Sequence, residues 1–519
     1  MQATGFDAWA LSLVVFLPLI GAIVMMVIPK AEEELHKMVA MAASLAALAV
    51  GIYVLINFDY DASGELQFVV DKSWIDVINS RYIIGLDGLS LPLLVLSLAV
   101  VPLCVIYSWH HIPEPGNPKA FLILILILGT GMNGTFVSQD LILFFVFFEI
   151  VLLPMYFMIG VWGGENRQYA AIKFFLFTLF GSALMILSFL ALFFLADGTL
   201  AGTTANTFDM RALPTAATVI STTTAVWIFG GMFMGFGIKV PMFPFHTWLP
   251  DAHTQAPTVG SVILAAVLLK LGTYGFIRIA IPILPGAAVE WAPFIGLLAV
   301  IGIIYGALGC LAQTDMKRLI AFSSVAHMGF VMLGIATLTD FGMNAAVFGM
   351  VAHGLITGML FFVAGSVKDR YHTLEIARLG GLLKQAPKMG WILGFATMAS
   401  LGLPGLAGFW GEFPAILAAY QPADALSEET FRTYMVIAAV GTVLAAGYLL
   451  WLFQRTAFGE PSDEFADEPI DDVIPTEWMA WSPFLLGIVV LGVYPNLLFS
   501  ITDDTVVNIA ELVTAAAGG

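Results

Sequence analysis

Residues 140–164 read DLILFFVFFEIVLLPMYFMIGVWGG. Between Asp140 and the Gly163–Gly164 pair lies a single charged side chain, Glu149, in a run of Leu, Phe, Ile, Val and Met. A helix of about 20 apolar residues crosses about 30 Å of hydrocarbon, so the segment predicts a membrane span. Glu149 then sits about nine residues inside it, where a charge costs at least about 2.5–3.5 kcal/mol on insertion scales. Such a group is retained when it is paired structurally or when it works. The chemistry expected of it is a proton or cation site.

The rest of the chain agrees with that stretch. Of 519 residues, 60% are hydrophobic and 11% charged, with a mean hydropathy of +0.93. A soluble domain carries about 25% charge, so a soluble class is excluded. The net charge of −17 reflects acidic loops such as 459–472 and offers nucleic acid no attraction. Cys104 and Cys310 lie in apolar runs without any CxxC or Cys/His cluster, so iron–sulfur, zinc and haem-attachment sites are not expected and the thiols read as packing residues. No basic stretch precedes the apolar segment 11–28, which therefore reads as a first span and not a signal peptide.

Apolar runs of spanning length fall near 9–29, 36–57, 88–108, 119–136, 140–160, 171–195, 222–245, 256–281, 291–312, 318–337, 342–366, 390–416, 432–455 and 479–501. The expected fold is an all-α polytopic membrane protein with about fourteen transmembrane helices and no separate soluble domain. Longer connections are expected near 58–87, 196–221, 367–389 and 456–478. Odd-numbered loops hold thirteen Lys and Arg, among them Lys30, Lys119, Lys317 and Arg378, and even-numbered loops five. By the positive-inside rule the odd loops are cytoplasmic and both termini lie outside, on the periplasmic side of a bacterial inner membrane.

Two lysines fall inside spans. Lys239 lies in 235–250, GFGIKVPMFPFHTWLP, followed by Pro241 and Pro244. Proline removes a backbone donor and clashes with the preceding turn, so this seventh span should be broken at membrane depth. Broken backbone is tolerated there only where protein buries it or it lines a hydrated cavity. Lys270 follows the apolar run 258–269 and could snorkel to an interface, although the segment after it favours a central position. Glu412 lies in 401–413, LGLPGLAGFWGEF, again after a Pro/Gly cluster. Broken helices at matching places in two halves point to inverted repeats, here spans 4–8 and 9–13 with spans 7 and 12 discontinuous. The chain then divides into an N-terminal three-helix segment 1–118, repeats at 119–281 and 291–455, and a final loop, helix and short tail at 456–519.

His327 sits in MKRLIAFSSVAHMGF with Ser323 and Ser324 four and three residues before it, spacings that share a helix face. A polar strip of hydroxyls and imidazole is expected. His353 is also mid-span, and His246 and His253 flank the break after Lys239. A lone histidine in a helix is as readily a satisfied core residue. Burial raises a Glu pKa and lowers a Lys pKa, bringing both toward neutrality, where His already titrates. A Glu about 6 Å from a Lys at an effective dielectric of about 20 gains about 2.8 kcal/mol. Moving one charge against 100 mV costs about 2.3 kcal/mol. Making or breaking one such pair is therefore of the size that drives or blocks a proton. The expected row is Glu149–Lys239–Lys270–His327–Glu412, filled from the cytoplasmic side and emptied near Glu412, with His353, His246, Ser323 and Ser324 as supporting groups.

The segments DLILFFVFFEIVLLPMYFMIG, KVPMFPFHTWLPDAHTQAPTVGSVILAAVLLKLGTYGFIR, MKRLIAFSSVAHMGF and LPGLAGFWGEF resemble the proton-conducting membrane transporter family. That family comprises the antiporter-like subunits of respiratory complex I and of multisubunit cation/proton antiporters. The resemblance runs through spans 4–13. It implies that Glu149 is the pairing glutamate of the fifth span, Lys239 the lysine of the broken seventh and Lys270 the connecting lysine. It also makes His327 the histidine of the tenth span and Glu412 the charge of the twelfth, where L-type and N-type members carry lysine. The implied partners are L-type and N-type subunits, the L-type lateral helix, the lipid bilayer and, indirectly, a peripheral redox arm. FMN, iron–sulfur clusters and quinone are expected in those partner subunits and none in this chain. The alternative within the family is a D-type cation/proton antiporter subunit, which needs no redox driver.

Overall fold

The structure is a computed structural model that describes residues 3–466 and 469–517. Helices dominate it. In chain order, and leaving short helical turns aside, they are α1 Asp7–Val27, α2 Glu33–Asn57, α3 Ser90–Ser108, α4 Pro118–Val137, α5 Leu141–Ile150, α6 Leu152–Trp162 and α7 Arg167–Leu195. After a long connection come α8 Thr222–Lys239, α9 Trp248–Gln255, α10 Thr258–Ile283, α11 Pro285–Leu311, α12 Met316–Ala336 and α13 Asp340–Tyr371. Last are α14 Pro387–Ser400, α15 Ala407–Ala418, α16 Glu428–Ala457, α17 Pro475–Val493 and α18 Asn496–Ala517.

Among the described residues, twelve helices are long and apolar enough to cross a membrane, α5 and α6 counting as one. The expected seventh and twelfth spans are each two shorter helices, α8 with α9 and α14 with α15, separated by non-helical backbone. α10, α12 and α13 form the centre, with 94% of their apolar windows buried. α2, α7, α16 and α17 form the rim, where Ile56, Phe194, Val443 and Leu486 are among many exposed apolar side chains. That surface suits hydrocarbon and no aqueous solvent.

Two expectations need correction. The connection 58–87 is not irregular: β1 Gln67–Ile75 and β2 Ser80–Leu86 form an antiparallel hairpin turning at Asn79, which is left-handed at φ 50°. Its alternation of polar and apolar residues is short and flanked by spans, so the helical period on either side masks it. The final apolar run 479–501 is not one span either. The span ends at Val493, and residues 496–517 form the separate helix α18 where a short tail was expected. Pro495, which cannot donate a backbone hydrogen bond, separates the two.

The segment leading into the hairpin and α18 meet at one end of the bundle. Ser63 donates to Asp504 (2.9 Å), and Thr505 donates to the Ser63 carbonyl (3.0 Å). The α4–α5 turn joins the same layer, with Gln139 N donating to Ile83 O and Met210 N to Gln139 O, both at 2.9 Å. The opposite end carries Lys30, Arg167, Arg318, Lys384 and Lys388, and is called the basic end below.

Candidate functional site

The break in the seventh expected span is where the prolines require it. α8 stops at Lys239, and the chain resumes helical form at Trp248. The carbonyls released there are recovered: Met242 N donates to Gly237 O (2.9 Å) and the Trp248 indole donates to Ile238 O (3.0 Å). Lys239 itself is buried, and its ammonium has no hydrogen-bond partner. It lies 4.7 Å from the centre of the Phe148 ring, a cation–π contact. Glu149 is the next residue along α5, half-buried, and no ion pair within 4 Å joins it to Lys239 among the described residues. Pro154 removes the hydrogen bond to the Ile150 carbonyl, and the helix is interrupted at Val151, two residues past Glu149. The acid and its nearest lysine are therefore both placed at helix discontinuities.

α10 passes directly behind Lys239. A Cβ added at Gly272 would stand 2.6 Å from Phe236 O and 3.1 Å from Lys239 Cβ, so only glycine allows this approach. The helix is wound as π-turns at Leu264–Leu268 and Phe276–Ala280, on either side of Lys270. π-turns leave carbonyls differently aimed from those of an α-helix, and the Lys270 ammonium donates to one of them, Ala265 O, at 2.5 Å. Its other partner is His353 Nδ1 at 2.6 Å. Lys270 is fully buried, which settles the snorkelling alternative in favour of the bundle interior.

From His353 the polar file continues. The His353 and His327 rings are 6.0 Å apart between centres, and His327 Nδ1 lies 2.5 Å from Glu412 Oε1. The other imidazole nitrogen of His327 faces Ser400 Oγ (3.2 Å) and the Tyr448 hydroxyl (3.3 Å). His327, His353, Thr357, Ser400 and Glu412 line one cavity with about 20 Å³ open to the centres of water molecules. A single water needs about 10–15 Å³, so the 6.0 Å gap between the rings has room for a bridge. Glu412 Oε2 and His353 Nε2 are buried without a protein partner beside it. Close helix approach makes the cavity: a Cβ at Gly411 would stand 2.4 Å from Gly349 Cα.

Glu412 reaches this place through the second break. α14 stops at Ser400 and α15 starts at Ala407, with Gly402 (φ +79°) and Gly405 (φ +94°) in the left-handed region that favours glycine. Ser323 and Ser324, expected to share a polar strip with His327, both donate instead to Ile320 O, at 2.8 and 3.4 Å. Serines within helices often bond back to the preceding turn in this way. Ser400 and Tyr448 take the place beside His327. His246 stands apart at the seventh-span break, packed against Phe243 and Tyr305.

Sequence reasoning missed Ser400 and Tyr448, counted Lys317 and Arg278 in loops, and named His253 without its surroundings. Ser400 and Tyr448 are contributed by other helices and have no motif. The only signal for Tyr448 is a hydroxyl in the apolar run of α16, which it shares with Thr442. Lys317, counted as a loop charge, is buried and donates to Ala256 O at 2.5 Å. His253 is fully buried against Phe361, both ring nitrogens unpartnered. Arg278, also counted in a loop, lies within α10 and donates to Asp87 at 2.5 Å.

Residues 138–440 match the profile described as NADH:quinone oxidoreductase/Mrp antiporter, transmembrane, and residues 13–135 match that of NADH-ubiquinone oxidoreductase chain 4, amino terminus. NADH-quinone oxidoreductase subunit M of Rhodobacter capsulatus is 40% identical over 509 residues, covering 96% of each chain. NADH-ubiquinone oxidoreductase chain 4 of Marchantia polymorpha is 37% identical over 502 residues, covering 96% of this chain and 97% of its own. A chain of respiratory complex I from Thermus thermophilus superposes with a TM-score of 0.83 at 28% identity, covering 98% of this chain and 99% of that one. A chain of the Mrp complex from Dietzia sp. DQ12-45-1b superposes with a TM-score of 0.84 at 19% identity, over 99% and 100%, a likeness of fold alone.

Proposed function

The chain belongs to the NADH:quinone oxidoreductase/Mrp antiporter membrane-subunit family, and from that premise we propose that it moves protons along the buried file Lys270–His353–His327–Glu412. It is a multi-pass membrane subunit of an NADH:quinone oxidoreductase, of the subunit M or chain 4 type. The cation/proton antiporter alternative is less supported: it shares the family profile and the fold, while the full-length relatives named above are oxidoreductase subunits.

The observation that carries the proton route is the file from the Lys270 ammonium through His353 and His327 to the Glu412 carboxylate, in direct contact at both ends and spaced for one bridging water between the imidazoles. Each member can hold or release a proton while its neighbour accepts or donates a hydrogen bond, which is what a relay requires. Lys239, with no hydrogen-bond partner, and Glu149, beside a helix break, form the switchable pair at the head of the row. Closing that pair favours a charged lysine; opening it favours release. His246 supports the seventh-span break, and Ser323 and Ser324 support the His327 turn. Residues 119–281 and 291–455 act as inverted repeats, each with one broken span, between the segment 1–118 and the closing stretch 456–519.

The driver is quinone reduction elsewhere in the complex, where FMN and iron–sulfur clusters belong to partner subunits. Neighbouring L-type and N-type subunits flank this chain in the membrane arm, with the L-type lateral helix alongside. The basic end faces the bacterial cytoplasm, and both termini face the periplasm.

The test is Glu149→Ala and Lys239→Ala in the intact complex, read in inverted vesicles. NADH-driven acidification is expected to fall at least about tenfold, while NADH oxidation by an artificial acceptor at the peripheral arm is unchanged. Full pumping by either variant overturns the route.

A further inference from the structure

α2, α3, α13, α17 and α18 enclose a cleft that the proton file does not use. It measures about 1140 Å³ with its open mouth and is lined by Leu55 of α2, Val95 and Ala99 of α3, Leu355 of α13 and Leu491 of α17. Polar groups occur only at the mouth, where Tyr60 and Ser500 stand at the hairpin end of the bundle. Both hydroxyls already donate to backbone carbonyls, Tyr60 to Leu55 O (2.7 Å) and Ser500 to Asn496 O (2.7 Å). The walls therefore ask nothing of a ligand but apolar contact.

We propose that this cleft binds one acyl chain of a phospholipid whose headgroup is zwitterionic and carries an ammonium, as in phosphatidylethanolamine. The lining offers apolar side chains and no hydroxyl that is not already donating, which suits a hydrocarbon chain. The mouth decides the headgroup. Asp59, Asp61, Glu65, Asp503 and Asp504 are exposed in the two segments that carry Tyr60 and Ser500, and residues 55–66 and 494–517 contain no Lys or Arg. Two of these acids are held in place, Asp504 by Ser63 (2.9 Å) and Asp503 by the Asn344 amide (2.7 Å). Fixed carboxylates repel an anionic headgroup and attract an ammonium. Tyr60 sits at the level where interfacial tyrosines anchor.

The floor of the cleft is the back of the proton file. Val351 and Leu355 line it and flank His353 by two residues on either side. Leu96, also in the lining, packs where Gly354 lacks a side chain: a Cβ there would stand 2.7 Å from Leu96 Cδ2 and 2.8 Å from Ala266 O. A seated acyl chain presses Leu96 onto this point and holds α13 against the π-turn that receives Lys270. The lipid is thus a positioning element for the Lys270–His353 contact, and its binding stands independently of the proton reading.

The experiment uses the intact oxidoreductase in bilayers of either phosphatidylethanolamine or phosphatidylglycerol, each with a photoreactive diazirine on one acyl chain. Peptides containing Leu55, Ala99, Leu355 or Leu491 are expected to be labelled about five-fold more by phosphatidylethanolamine. Ala99→Trp, which obstructs the cleft from its α3 wall, sharply reduces the labelling in complexes whose subunit content is unchanged. Ser500→Lys, which leaves the apolar walls intact, transfers the preference to phosphatidylglycerol. Absence of label in the assembled complex, as a neighbouring subunit seated there would cause, overturns the proposal. So does label that is equal for the two lipids or indifferent to both substitutions.

Discussion

His353 holds the file together, since it alone contacts both Lys270 and the His327 side of the cavity. His353→Ala is expected to reduce protons pumped per NADH at least about tenfold, because general acid–base groups contribute factors of this size or more. Proton release measured against NADH consumed checks it, and normal complex assembly excludes a folding defect. Tyr448→Phe removes one hydrogen bond to His327 Nε2, a loss of about 0.5–1.5 kcal/mol. Pumping should slow about two- to tenfold without uncoupling, read as a lower initial rate at unchanged stoichiometry. Glu149, Lys239, Lys270, His327 and Glu412 were legible because a charge or imidazole in an apolar run is conspicuous. Tyr448 and Ser400 were not, since a hydroxyl costs little in a span and only tertiary packing brings these two to one imidazole.

Helix approach is set by glycine at the places that matter. A methyl at Gly411 would overlap Gly349 Cα at 2.4 Å, so Gly411→Ala should push α15 from α13 and part Glu412 from His327. The expected result is a larger loss of pumping than of assembled complex, measured by activity per unit of complex on native gels. At the hairpin, Asp71 accepts from Arg81 (2.7 Å) and Arg211 (2.8 Å), stapling β1 to β2 and to the 196–221 connection. Burial pushes the Asp71 carboxyl up, but the two arginine hydrogen bonds outweigh it and hold the group below its ordinary value. The staple is therefore complete above the unfolded value of about 3.9 and is lost as pH falls through the lower folded value. Amide protection across residues 69–84, taken relative to the intrinsic exchange rate at each pH, should fall on acidification in the wild type, and Asp71→Asn should show the reduced protection already at neutral pH. The broken spans were legible from Pro241, Pro244 and Pro404, whose backbone chemistry is local. The π-turns around Lys270 were not, because they depend on where Ala265 O finds its partner.

For the whole molecule, span positions were legible because hydrocarbon thickness imposes a length that composition reveals. The hairpin and α18 were not, because short amphipathic elements at a membrane edge carry no such constraint. Orientation gives the corresponding test. Val77 at the hairpin turn is 96% exposed, and the native Cys104 and Cys310 are fully buried. Val77→Cys should react with an impermeant maleimide added outside intact cells, and Lys388→Cys only in inverted vesicles. The reverse pattern would turn the bundle over.

The bonds from Ser63 to Asp504 and Thr505 join positions 441 and 442 apart along the chain. A ribosome must therefore make nearly everything between them before the two ends of the hairpin segment acquire their cover. Until then Gly88, into whose missing Cβ position Ile501 O projects at 1.9 Å, faces an empty seat. Chains cut short before α18 would leave Ser63 and Gly88 without these partners.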